Sequence, residues 1–332
     1  MMKSYKILFS NTLIMGTLMA ISSYSWFSMW MGLEINLLSA IPLFLAPHNS
    51  MSTEASMKYF ITQALASVII LFSLIMIMIN PLMYSISTSN LMTSILNSML
   101  MLKMGAAPLH FWFPEVMEGL SWLNCSILLT TQKVSPMMIL LNNQPSSTIM
   151  LIFIVSSAIV SSLMNLNHTS MRKIMSYSSI NHLAWMISSM MSLSTLTIYF
   201  STYSILTIIA TSMMKALNIN FINQLNNTEF LTNLVLMVNF MSIGGIPPFI
   251  GFLPKWITVN QLVSNNEFII PTILILSSLV MLYIYMRLFF PLMLINQAKK
   301  KSLIKITLNE MFFSITLMFN FSLVLYTISF NL

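Results

Sequence analysis

Glu34, Lys103, Lys133, His182 and Lys255 are the residues of this chain whose types and settings suit proton chemistry at depth. Each falls inside a long apolar run. Lysine can release its proton where arginine cannot, and none of the three basic positions is arginine. Three lysines cannot all stay charged in a dry interior, because burial and mutual repulsion both work against the ammonium form. A lysine that titrates near neutrality suits a proton carrier. Lys103 sits in MLKMGAAPLHFWFP, where Gly105, Pro108 and Pro114 interrupt the helix. Lys255 sits in IGGIPPFIGFLPKW, with Gly244, Gly245, Pro247, Pro248 and Pro254. Proline removes a backbone donor and clashes with the preceding turn. At membrane depth such a break survives only where the freed groups are buried in protein or face water. Two broken, lysine-bearing segments in corresponding halves point to a transport site between inverted repeats.

Each residue also has a plainer reading. A mid-span carboxylate such as Glu34 costs roughly 3 kcal/mol on insertion scales unless it is paired or hydrated. Lys103 is its nearest candidate partner, and the pair is either functional or a structural ion pair. Lys255 lies near the end of its helix, where snorkelling to an interface is the alternative. His182, in SYSSINHLAW, is either a relay among hydroxyls or a satisfied core histidine. For His110 the structural reading is favoured, as a cap on carbonyls freed by the break. Glu115 and Glu118, at the inside membrane edge, read first as a solvated rim and second as proton collectors. His48 and His168 fall in loops and carry no signal.

The elements that must position these residues follow from composition. The chain is 57% hydrophobic and 6% charged, with a mean hydropathy of +0.84. A soluble protein could not present so little charge to water, so the chain reads as an all-α polytopic membrane protein. The single cysteine, Cys125, excludes a disulfide framework, a Cys-ligated iron–sulfur cluster and a zinc ribbon. The four histidines lack close metal-ligand spacing, and no nucleotide-binding glycine motif occurs. The net charge of +7 is scattered at helix ends, which speaks for topology and against nucleic acid. The start, MMKSYKILFSNTLIMG, runs straight into a first span, without an arginine-rich transit peptide or cleavable signal. Thirty-four methionines, seven glycines and no aspartate suggest AT-rich coding and a code that reads a usual isoleucine codon as methionine, as in animal mitochondria. Tolerant packing by methionine is the alternative.

Hydropathy predicts about eleven transmembrane helices. Their approximate limits are 5–24, 27–45, 57–79, 91–112, 122–141, 147–164, 173–191, 195–217, 234–256, 268–288 and 311–329. Lys3, Lys6, Lys58, Arg172, Lys173, Lys215, Arg287, Lys299, Lys300, Lys301 and Lys305 then share the N-terminal side. The other side receives no basic residue. The positive-inside rule puts the N-terminus inside, which in a mitochondrion is the matrix, and the C-terminus in the intermembrane space. The two broken helices are five spans apart and so run in opposite directions. The predicted organisation is a single transmembrane domain over 1–332, with a five-helix repeat over 5–141, its inverted copy over 147–288 and a terminal helix over 311–329. The loop Leu294 to Glu310, with its KKK run, reads as a solvated face near anionic headgroups.

The segments MGLEINLLS, STEASMKYFITQALAS, LKMGAAPLHFWFPEVMEGL, TTQKVSP, SYSSINHLAWM and GGIPPFIGFLPKW resemble the subunit 2 family of mitochondrial NADH dehydrogenase, in an arthropod-like version. These are antiporter-like membrane subunits of respiratory complex I. The C-terminal quarter is similar mainly in hydropathy. The resemblance implies that Glu34 and Lys103 form a modulating ion pair and that Lys133 is the central lysine. It places Lys255 toward the far-side exit and His182 on the hydrated axis between half-channels. It implies neighbours in subunits 4L and 4 and lipids such as cardiolipin. No cofactor is expected in this chain, since flavin, iron–sulfur clusters and the quinone site belong to other subunits. The animal form of the family lacks the opening helices of bacterial relatives, which agrees with eleven spans; any contact those helices make is not carried over. A stand-alone cation/proton antiporter would share the fold and the lysines. A non-transporting structural subunit would keep them as inert pairs.

Overall fold

The fold is described from a computed structural model, covering residues 4–46, 49–79, 86–143, 146–227, 230–295 and 316–322. His48, the KKK run and most of the expected terminal helix lie outside the described residues. Thirteen α-helices are described: α1 (Ser4–Ser22), α2 (Trp26–Phe44), α3 (Ser50–Ile79), α4 (Ile86–Met104), α5 (Trp112–Gly119), α6 (Trp122–Leu129), α7 (Thr131–Asn143), α8 (Ser147–Asn165), α9 (Met171–Ser188), α10 (Leu193–Ala216), α11 (Phe230–Gly244), α12 (Phe252–Ser264) and α13 (Ile269–Ile295). Among the described residues the only extended pairing is an isolated bridge between Ser170 and Phe221. Among the described residues five segments are long and apolar enough to cross a bilayer: Trp26–Phe44, Ser50–Met78, Ser147–Asn165, Leu193–Ala216 and Ile269–Phe290. The protein is thus an all-helical membrane protein.

The chain divides into two compact units, Met1–Phe153 and Ile154–Leu332. In the first, α3 shows the logic of the fold. It buries Ser52, Ser56, Tyr59, Gln63, Ser67 and Ser73, while Ile61, Leu65, Val68 and Phe72 are more than half exposed. Polar groups turn inward and large apolar groups outward, as a lipid environment demands. The helices α1 and α2 approach backbone to backbone. A Cβ on Gly32 would lie 2.6 Å from the Ala20 nitrogen, and one on Gly16 would lie 2.9 Å from that of Asn36. Small residues permit this contact, which fixes the face of α2 turned to the interior.

The fifth expected span departs from its prediction. It is interrupted at Thr130, giving α6 and α7. Thr130 and Thr131 direct their hydroxyls to the Ser126 and Ile127 carbonyls, at 2.8 and 3.0 Å, while the Thr130 N–H also donates to Ser126 O at 3.1 Å. Pro136 then removes the donor that the Gln132 carbonyl would have received. The third span begins seven residues earlier than expected, at Ser50 instead of Met57.

In the second unit α9 is buried on every side from Ile174 to Ser188. Such a helix is a central post. Phe240 of α11 packs against Tyr285 and Phe289 of α13, with ring centroids 5.5 and 5.4 Å apart.

Candidate functional site

The two helix breaks are built alike. The half-helices α4 and α11 end at Met104 and Gly244, and Gly105 and Gly245 follow with φ of 81° and 83°. Glycine is the residue that adopts this left-handed conformation without a Cβ clash. The Ala106 N–H donates to the Met101 carbonyl at 3.0 Å and the Gly105 N–H to Leu102 at 2.9 Å. The Ile246 N–H donates to Met241 at 3.3 Å and the Gly245 N–H to Ser242 at 3.0 Å. Both ends are therefore Schellman caps, with the same six-to-one and five-to-two bonds. Beyond them the chain passes through Pro108, or through Pro247 and Pro248, before helix resumes at Trp112 or Phe252. A Cβ on Gly251 would overlap the Ser242 carbonyl, so the restarting chain lies directly on the end of α11.

The remaining carbonyls are satisfied differently at the two breaks. In the first unit the Trp112 indole N–H donates to Leu102 O at 3.1 Å, and the Gln63 amide donates to Lys103 O at 3.3 Å. In the second the Lys255 ammonium donates to Gly244 O at 2.7 Å. A cation at the carbonyl end of a helix is favoured by the local dipoles. Lys255 therefore reaches back into the break, 8% exposed, and does not snorkel. Its Nζ also lies 5.7 Å from the centre of the Trp185 ring.

Lys103 closes the last turn of α4 and is 7% exposed. It lines a small cavity with Asn36, Tyr59, Gln63, Gln132 and Ser135. The space open to the centre of a water there is about 10 Å³, roughly room for one molecule. Lys133, 1% exposed, holds its Nζ 5.3 Å from the centre of the Phe113 ring, a cation–π arrangement. Phe113 packs into the break itself, where a Cβ on Gly105 would stand 3.1 Å from it.

The structure does not bring Glu34 into contact with Lys103. Among the described residues the ion pairs within 4 Å are Lys58–Glu54 and Lys58–Glu115, both at 2.8 Å. The reason lies in α2, whose buried stripe is Leu33, Asn36, Leu37 and Ala40. That stripe leaves Glu34 on the shoulder of the helix, partly exposed. Glu115 is exposed and held by Lys58, as a solvated rim requires.

His182 meets a wall of hydroxyls. Its Nδ1 lies 2.9 Å from the Tyr199 hydroxyl, and its ring centre 5.1 Å from that of Tyr203. On the same helix Asn181 accepts from Ser277 of α13 at 3.1 Å. Trp185, the ring beneath Lys255, stands one turn further along α9. His110 has the structural role expected, its Nδ1 bonded to the Pro108 carbonyl at 3.3 Å inside the break. His168 stacks on Tyr177, with centroids 5.0 Å apart.

Sequence reasoning missed Asn36, Gln63 and Gln132 in the first unit and Tyr199, Tyr203 and Tyr285 in the second. Their signal was available but faint. Neutral polar residues at helical spacing on apolar spans mark an inward face. Among the described residues no cluster of three or more His, Cys, Asp or Glu side chains could hold a metal.

Residues 23–282 match the family model described as NADH:quinone oxidoreductase/Mrp antiporter, transmembrane. The NADH-ubiquinone oxidoreductase chain 2 of Anopheles gambiae is 45% identical over 322 residues, covering 95% of this chain and 93% of its own. That of Locusta migratoria is 41% identical over 312 residues, with 93% and 91% covered. In fold, the chain is similar to one from respiratory complex I of Thermus thermophilus, with a TM-score of 0.83 at 20% identity, covering 95% of this chain and 75% of that one. With such identity over nearly its whole length, the chain belongs to the NADH-ubiquinone oxidoreductase chain 2 family, within the NADH:quinone oxidoreductase/Mrp antiporter membrane proteins.

Proposed function

We propose that Glu34, Lys103, Lys133, His182 and Lys255 carry protons through this multi-pass inner-membrane subunit of mitochondrial NADH:ubiquinone oxidoreductase. The observation that carries the reading is the placement of the lysines. All three are at least nine-tenths buried, and each lies at or beside a helix interruption. Burial of an ionisable group at membrane depth is costly and is kept for function.

In this reading, electron transfer in other subunits changes the field at Glu34. Glu34 alters the proton affinity of Lys103 through space, without an ion pair to break. Lys133 then gains or loses a proton, and His182 with its tyrosines conducts toward Lys255. Moving one charge against a potential on the order of 150 mV costs roughly 3.5 kcal/mol. A change in proton affinity of roughly 400-fold is equivalent to that cost.

The finer organisation belongs to the same reading. Residues 5–141 and 147–288 are five-helix inverted repeats and 311–329 a terminal helix, giving eleven spans. Two breaks with the same glycine cap support this. The N-terminus faces the matrix and the C-terminus the intermembrane space, as the one-sided basic residues favour. The subunit sits between subunits 4L and 4, in contact with lipids such as cardiolipin. Flavin and iron–sulfur clusters are carried by other subunits. Replacing Lys133 with Met tests the reading: protons pumped per NADH should fall while the complex still assembles. An unchanged stoichiometry would overturn it.

A further inference from the structure

We infer that Gln132 and Asn36 are positioning residues that tie Lys133 to the cavity lined by Lys103. The inference rests on the reading that these lysines carry protons. Gln132 is the residue before Lys133 and follows the interruption at Thr130. The regular α-ladder is interrupted there, with the Lys133 N–H turned to the Thr130 carbonyl at 3.1 Å, and side chains add their own hold on α7. The Gln132 amide N–H donates to the Asn36 side-chain oxygen at 2.9 Å, and the Tyr59 hydroxyl donates to the Gln132 side-chain oxygen at 3.0 Å. The Asn36 amide in turn donates to the Ser135 hydroxyl at 3.3 Å. Asn36 thus grips Gln132 and Ser135, three residues apart on one face of α7. Helices α2, α3 and α7 are joined around the cavity, and Gln63 of α3 holds the Lys103 carbonyl at 3.3 Å.

The chemistry of the amides defines their role. A carboxamide has no proton to lend near neutral pH, so Gln132 and Asn36 are not carriers. Bonds in the chain Tyr59–Gln132–Asn36–Ser135 all point one way, each amide donating through nitrogen and accepting through oxygen. Such a chain holds geometry without adding charge. A carboxylate in the same place would pair with the Lys103 ammonium and hold its proton there. Neutral amides keep the two lysines in register and leave both free to change charge. This frame is one structural link between the lysine on α4 and the one on α7, beside the bond of Asn143 on α7 to the Asn97 side-chain oxygen on α4 at 3.2 Å.

The test uses the whole complex in native membranes and in vesicles, with Gln132→Met and Gln132→Glu. Assembly, NADH oxidation and protons per NADH are measured across pH, with Lys133→Met alongside. Gln132→Met should assemble and lose as much stoichiometry as Lys133→Met. Gln132→Glu should move the pH profile of pumping upward by about one unit, a tenfold change in proton affinity. A purely structural role would lower yield and leave that profile in place. Assembled Gln132 variants with normal stoichiometry and profile overturn the inference. Should they fail to assemble, Tyr59→Phe and Ser135→Ala each remove one end bond. Those two should lower stoichiometry, and normal behaviour in both overturns the inference equally. If Lys133→Met pumps normally, the lysine reading itself falls. If it does not and Gln132→Met does, only the frame falls.

Discussion

Two adjacent glycines at the second break should respond in opposite ways to the same added methyl group. Gly245 has a φ of 83°, and a Cβ there would stand 2.9 Å from both Cδ and Nζ of Lys255. The left-handed backbone costs an alanine roughly 1–2 kcal/mol. Displacing Lys255 also removes its 2.7 Å bond to Gly244 O. A buried hydrogen bond to a charged group contributes about 1.5–3 kcal/mol. Gly245→Ala should therefore weaken the break by about 2.5–5 kcal/mol. Gly244 is the last residue of α11, and its Cβ would meet only ordinary contacts, the nearest Tyr285 Cδ2 at 3.4 Å. There the substitution should be neutral, or stabilising by up to about 1 kcal/mol as glycine gives way to a better helix former. Hydrogen exchange read by mass spectrometry on the assembled complex checks this locally. Peptides spanning residues 241–260 should exchange at least roughly 60-fold faster in Gly245→Ala, following tenfold per 1.4 kcal/mol, and no faster in Gly244→Ala. Equal exchange in the two variants would refute the argument that the left-handed glycine and the lysine cap hold the break.

Other perturbations follow from the same geometry. Gly32→Val should force α1 from α2, at about 1–3 kcal/mol for overpacking, seen as reduced complex on a native gel. Tyr199→Phe removes the 2.9 Å bond between the tyrosine hydroxyl and the His182 ring nitrogen; at about 0.5–1.5 kcal/mol for one hydrogen bond, it should reduce protons per NADH in a complex that still assembles. Lys58→Met should leave assembly and pumping unchanged, because both carboxylate partners of Lys58 are more than half exposed and such pairs are screened.

The breaks were legible in the sequence because glycine and proline carry a backbone signal that does not depend on tertiary context. Lys103, Lys133 and Lys255 were legible because a charge in an apolar run is conspicuous. The Thr130 interruption was not, since threonine is ordinary in a span and makes the same bonds to i−4 carbonyls inside the unbroken α10, at Thr207 and Thr211. Gln132 and Asn36 escaped for a related reason: a neutral amide barely moves hydropathy, and only the fold shows that the two meet. The Glu34–Lys103 pair was expected from burial cost and from the family resemblance. Helical phase decided otherwise, because Leu33, Asn36 and Leu37 take the inner stripe of α2 and leave position 34 at its side.

The unlike caps of the two breaks have a bearing on timing. The first is closed by Trp112 and Gln63, groups that never change charge, and so behaves as a fixed pin. The second is closed by Lys255, whose own proton is the proposed cargo. A neutral amine holds a carbonyl less firmly than an ammonium does. Each proton that departs from Lys255 thus loosens the latch that seated it, and each arrival fastens it again. Unloading and unlocking become one event on the second break, with no separate gate to keep in step.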